Sequence, residues 1–111
     1  MKYYSVKEFE KDIRVLAKKI EKKVGSKKYI AVYAVPRGGY PIAIALRRWF
    51  SFELITELDY EFRDRILIVD DLVDSGATRK KYEGYDFAVL HIKEHTPKDS
   101  LPTYYIRKEN R

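Results

Sequence analysis

Asp70 and Asp71 stand side by side, and after two apolar residues come Asp74, Ser75, Gly76, Ala77 and Thr78. Adjacent carboxylates accept hydrogen bonds from sugar hydroxyls or hold a divalent cation. A glycine-containing turn that opens a helix exposes consecutive backbone N–H groups at the positive end of the helix dipole, which favours a phosphate. A second constellation lies upstream in Arg37-Gly38-Gly39. Two glycines allow the backbone to approach an anion closely, and the arginine supplies a fixed fork of donors. The chemistry these residue types allow is binding of a phosphate or other anion beside a sugar or a divalent cation.

Such residues must be carried by rigid elements. The run Ile66 to Val69 is apolar without polar alternation, which suits a strand buried on both faces, and it delivers the acid pair to its carboxyl end. In open α/β sheets that end is where ligands bind. Tyr29 to Val35 reads as another central strand, ending at the Arg-Gly-Gly loop, with a helix over Ile42 to Phe50 after Pro41. Ser5 to Val24 reads as a first helix: Ser5-Val6-Lys7-Glu8 has the capping-box pattern, Gly25 is a stop, and apolar residues recur every three or four positions. Further strands are expected at Phe52 to Thr56, Asp86 to Ile92 and Leu101 to Ile106, with a short helix from Arg79 to Glu83. The expected architecture is α/β, a mainly parallel sheet flanked by helices, in one domain spanning residues 1–111.

Composition narrows the classes. The chain has 111 residues, 45% hydrophobic and 14% aromatic, enough for a globular core. It has no cysteine, which excludes disulfides and thiolate metal sites and fits a reducing, cytoplasmic setting. No apolar run is long enough to span a bilayer, and the N-terminal residues do not read as a signal peptide. The formal charge of +6 arises from scattered basic pairs interleaved with 17 acids, read as solvated helix faces rather than a specific nucleic-acid site. An anionic small-molecule substrate suits such a field equally well.

The stretch ILIVDDLVDSGAT, Ile66 to Thr78, resembles the phosphoribosyl pyrophosphate (PRPP) motif of type I phosphoribosyltransferases. The segment VPRGGYPIAIAL is similar, in content and order, to the pyrophosphate loop of the purine-salvage branch, closest to the xanthine-guanine enzymes. The resemblance implies a Rossmann-like fold and transfer of the phosphoribosyl group of PRPP to a 6-oxopurine (guanine, xanthine or hypoxanthine), with Mg²⁺ as cofactor. It implies that Arg37 and Gly38 bind pyrophosphate, and that Asp70 and Asp71 take the ribose hydroxyls, with Asp71 also serving the metal. It further implies that Ser75, Gly76, Ala77 and Thr78 hold the 5′-phosphate while Asp74 acts as general base at the purine N7. Lys93 matches a lysine that contacts the exocyclic oxygen of the base, or is a solvent lysine at a strand end. Relatives are commonly homo-oligomers, dimers or tetramers.

Two departures from the family pattern are visible. Most relatives carry a long mobile loop where this chain has only Glu57 to Arg65, whose Arg63 and Arg65 either reach the pyrophosphate or are surface charges. The tryptophan segment that stacks on the base in purine relatives is not found here. Tyr104 or Tyr105 would have to substitute, unless alternation buries one as core; Trp49 reads as packing. His91 and His95 have no third ligand nearby and read as ordinary residues rather than a metal pair. The rival function is a non-catalytic or regulatory PRPP- or nucleotide-binding module.

Overall fold

A computed structural model describes residues 5–36, 38–73, 80–93 and 101–109. The elements in chain order are α1 (Val6–Val24), β1 (Ala31–Ala34), α2 (Gly39–Leu46), β2 (Glu53–Ile55), a 3₁₀ helix (Tyr60–Arg65), β3 (Ile66–Val73), β4 (Asp86–Lys93) and β5 (Arg107–Glu109). The strands form one sheet in the order β2-β1-β3-β4-β5, and each neighbouring pair is parallel. An all-parallel sheet is expected to be covered on both faces, and two buried clusters do so here.

Helix α1 starts as its sequence dictates. The Ser5 hydroxyl accepts from Glu8 N–H at 3.1 Å, and the Glu8 carboxylate reaches back to the Ser5 N–H at 3.5 Å. Its stripe of Ile13, Leu16, Ala17 and Ile20 packs with Ile42, Ala43 and Leu46 of α2 against Val32, Ala34, Leu67, Val69, Ala88 and Leu90 of the sheet. Trp49 packs at the margin of this cluster, as a core residue would. On the opposite face Ile66, Ile68, Phe87 and Val89 meet Tyr82 and Tyr85, with Leu58, Leu101 and Tyr105 alongside. Alternation along each strand sorts these residues to the two faces. Among the described residues no helix is long and apolar enough to cross a membrane.

Four local features differ from the sequence reading. Helix α2 begins at Gly39 and ends at Leu46; its exit tightens through Arg48 N–H to Ala45 carbonyl (3.2 Å) and Trp49 N–H to Leu46 carbonyl (3.0 Å), the 3₁₀ pattern common at helix ends. β3 runs on through both acids to Val73, because β4 continues to pair with it at Asp70–Val89, Leu72–His91 and Val73–Ile92. The linker Glu57 to Arg65 before β3, to which the sequence assigned no element, contains a 3₁₀ helix over Tyr60–Arg65.

The final strand is Arg107–Glu109, not Leu101 to Ile106. The earlier segment still follows β4, through Tyr104 N–H to Phe87 carbonyl (3.0 Å), Val89 N–H to Tyr104 carbonyl (3.0 Å) and a single bridge at Ala88–Tyr104. The Thr103 hydroxyl accepts the Phe87 N–H at 3.0 Å, so a side chain fills the place of a ladder carbonyl.

Candidate functional site

The carboxyl ends of β1 and β3 adjoin, since Ala34 is in register with Val69 and the Val35 N–H donates to the Val69 carbonyl at 2.9 Å. The chain then turns at once into α2, with the Gly39 N–H donating to the Val35 carbonyl at 2.9 Å. This turn lies directly on β3. A Cβ built on Gly38 would stand 2.5 Å from Asp71 Oδ1 and 2.8 Å from Oδ2. At Gly39 it would strike the Val69 carbonyl oxygen and the backbone of Ala34. Gly38 has φ −62°, so its role is close approach rather than a left-handed backbone.

The strand geometry gives the two acids different surroundings. Successive residues of a strand face opposite sides, so Asp71 shares the side of Leu67, Val69 and α2 while Asp70 shares that of Ile68. Asp71 is exposed and lies under Gly38; Asp70 is buried. Burial pushes the Asp70 carboxyl up to about 7, and a hydrogen bond and charge repulsion from Asp71 add to the rise. The Asp71 N–H, donating to Asp70 Oδ1 at 2.8 Å, opposes it.

Two tyrosines that the sequence reading left unassigned stand on the Asp70 side. Tyr33 of β1 and Tyr82 have ring centroids 5.7 Å apart. Tyr82 is buried and its hydroxyl is pushed up to about 12, by desolvation, a hydrogen bond with Tyr33, and the nearby charges of Tyr33 and Asp70. Alternation along Tyr29 to Val35 could have placed Tyr33 on that face. Nothing local would have brought Tyr82 to it.

The Asp71 carboxylate fits a magnesium ion. Mg²⁺ is held by one or two carboxylates and completes its shell with water and substrate phosphate oxygens rather than by a full protein cage. Among the described residues no cluster of three or more His, Asp or Glu side chains exists. The carboxylate open to such an ion is that of Asp71, which is exposed; Asp70 is held toward its protonated form chiefly by burial, with the hydrogen bond and charge of Asp71 adding to the rise.

Arg37, Asp74, Ser75, Gly76, Ala77 and Thr78 lie outside the described residues, as does His95. Lys93 ends β4, in register with Glu109 of β5, and its backbone thereby reaches the carboxyl edge of the sheet beside β3. The two linker arginines are engaged elsewhere. Arg63 donates to the Tyr60 carbonyl at 2.9 Å and lies over the Tyr60 ring, while Arg65 Nε donates to the Lys28 carbonyl at 2.8 Å. Arg65 immediately precedes β3, at the end of the strand opposite the acids.

Tyr104 is core: it is 4% exposed, and its hydroxyl lies 2.9 Å from that of Tyr29, which donates to Asp86 Oδ2 at 2.6 Å. Tyr105 is partly buried with the opposite cluster. His91 Nε2 lies 3.6 Å from Oδ2 of Asp12, a buried acid on the apolar face of α1. Asp12 was not marked by the apolar periodicity, because its partner arrives from β4.

A shallow groove bordered by Ile30, Arg47, Phe52, Glu53 and Leu54 flanks the outer strand β2, away from the acids.

No family model matches the chain, and no curated protein matches it by sequence. Solved structures do match it over most of its length. A xanthine-guanine-hypoxanthine phosphoribosyltransferase from Helicobacter pylori is similar with a TM-score of 0.73 at 21% identity, covering 95% of this chain and 84% of that one. A purine phosphoribosyltransferase from Pyrococcus horikoshii gives 0.73 at 24% identity, covering 96% and 86%. A hypothetical protein from Neisseria gonorrhoeae with bound ppGpp gives 0.71 at 22%, covering 95% and 80%. The fold is that of the type I phosphoribosyltransferases.

Proposed function

We propose that this chain is a purine phosphoribosyltransferase, transferring the 5-phosphoribosyl group of PRPP to a 6-oxopurine (guanine, xanthine or hypoxanthine) with release of pyrophosphate. The observation that carries this reading is the packing of Gly38 on the Asp71 carboxylate, which brings the glycine turn after β1 against the end of β3 that bears the acids. The likeness in fold to purine phosphoribosyltransferases supports it.

As the bond from ribose to pyrophosphate breaks, the sugar becomes cation-like and the leaving group gains negative charge. Arg37 and the Gly38 backbone are assigned to the pyrophosphate, where fixed donors stabilise charge that develops in the transition state. Asp70 and Asp71 take the ribose hydroxyls. The amides of Ser75, Gly76, Ala77 and Thr78, with the two hydroxyls, hold the 5′-phosphate. Asp74 accepts the purine N7 proton as general base, and Lys93 meets the exocyclic oxygen. Asp71 would hold Mg²⁺, which would supply charge neutralisation to the pyrophosphate.

The cysteine-free composition accords with a cytoplasmic role in purine salvage. Exposed Tyr40 and Ile44 on α2, 45% and 59% accessible, favour assembly into a dimer or tetramer.

A second reading, a PRPP- or nucleotide-binding module without catalysis, draws on the linker. Arg63 and Arg65 are tied to backbone carbonyls and leave no long loop there to exclude water from the reacting carbon. The fold likeness to a protein with bound ppGpp is compatible with it. Incubation with PRPP, Mg²⁺ and each of the three bases, with chromatographic detection of the nucleoside monophosphate, separates the two. Product formation supports the transferase; saturable PRPP binding with no product from any base supports the module.

A further inference from the structure

We propose that helix α1 carries a docking strip for the phosphate backbone of a nucleic-acid duplex, bound without regard to base sequence. In the sequence its cations look scattered among acids. On the helix, Lys7, Lys11, Arg14, Lys18 and Lys22 recur at intervals of four, three, four and four, and all five are exposed. They form one row directly opposite the buried Ile13, Leu16, Ala17 and Ile20. At about 1.5 Å per residue the row extends ~22 Å. A duplex presents one phosphate charge per ~1.7 Å of its axis, so a straight row of this length can track the backbone.

The neighbouring groups leave the row free for such a partner. Glu10 and Glu21 sit along one margin, whereas Lys19 and Lys23 at the other lean over the rings of Tyr105 and Tyr104. Among the described residues none of the five cations is paired with a carboxylate. Four of the five are lysines, compact point charges suited to phosphate contacts that position a duplex without reading its bases. A membrane is the poorer partner. An interfacial helix inserts its apolar face into the lipid, and the apolar face of α1 is already packed against the sheet.

The test is fluorescence anisotropy with labelled mixed-sequence DNA and RNA duplexes across a salt series. Five phosphate contacts predict a slope of log K against log salt of about −4.5, hence roughly 500-fold weaker binding at 200 mM than at 50 mM salt. The double variant Lys11→Glu/Lys18→Glu, on exposed positions, is expected to keep its thermal midpoint and shift the slope to about −2.7 or shallower. The control Lys27→Glu/Arg48→Glu removes the same net charge from exposed positions off the helix and is expected to bind like the parent. No binding of either duplex at 50 mM salt would overturn the proposal, and so would equal losses in the strip and control variants. Binding to phosphatidylserine vesicles but not to duplexes would also overturn it, by replacing the partner. None of these outcomes depends on phosphoribosyl transfer.

Discussion

Gly38 lies against the Asp71 carboxylate so closely that a methyl group at residue 38 would stand 2.5 Å from Oδ1. The relationship joins residues 33 positions apart, and it separates two neighbouring glycines by what each one touches. Gly38 meets the end of an exposed side chain; Gly39 meets the backbone of β3 and β1.

Gly38→Ala and Gly39→Ala are therefore expected to fail differently. In Gly38→Ala the Asp71 carboxylate can swing aside, so the fold survives while PRPP binding weakens, on the order of tenfold or more. In Gly39→Ala the new methyl meets main chain that cannot yield, costing about 1–3 kcal/mol of stability, the usual range for overpacking. Thermal unfolding alongside PRPP titration checks both, and equal loss of stability in the two variants would contradict the contrast.

Asp70 predicts the pH dependence of the ligand-free protein. Its folded carboxyl is raised from 3.8 to about 7, so between those values the folded state binds more protons than the unfolded one. Stability from this group is thus present at low pH and declines as pH rises toward and through 7. Asp70→Asn should flatten that decline, measured as the thermal midpoint from pH 5 to 8. Magnesium with PRPP should raise the midpoint more at pH 8 than at pH 5, because an ionised Asp70 accepts the ribose hydroxyls and adds negative charge near the cation at Asp71.

Asp74→Asn is expected to lower turnover with PRPP and a 6-oxopurine by about 10²-fold or more, the usual range for loss of a general base. PRPP affinity should change little. Steady-state kinetics with a separate binding titration reads the two effects, and unchanged turnover would remove Asp74 from the chemistry.

Tyr29→Phe tests the opposite end of the sheet. The Tyr29 hydroxyl donates to Asp86 at 2.6 Å and meets the Tyr104 hydroxyl at 2.9 Å. Removing it leaves those groups short of a partner, at a cost of about 1–3 kcal/mol. Urea unfolding should show the loss, while the KM for PRPP stays unchanged because Asp86 opens β4 in register with Leu67, and the acids lie further along β3 toward its carboxyl end.

The letters alone carried the elements whose causes are local. The Ser5–Glu8 capping box, the stripe of α1 and the β-branched run into Asp70 and Asp71 need only neighbours within a few positions, and each formed as expected. The likeness of ILIVDDLVDSGAT and VPRGGY to phosphoribosyltransferase loops led to the fold, and the solved structures bear that fold out. Other features depended on partners distant in sequence. Pairing with β4 carried β3 past its acids, and strand alternation then buried Asp70 while leaving Asp71 open beneath Gly38. Similarly, Tyr29 drew Tyr104 into the core, backbone carbonyls engaged Arg63 and Arg65, and His91 met an acid from α1. A residue's type and spacing determine which interactions it can make; only the packed sheet decides which group is within reach.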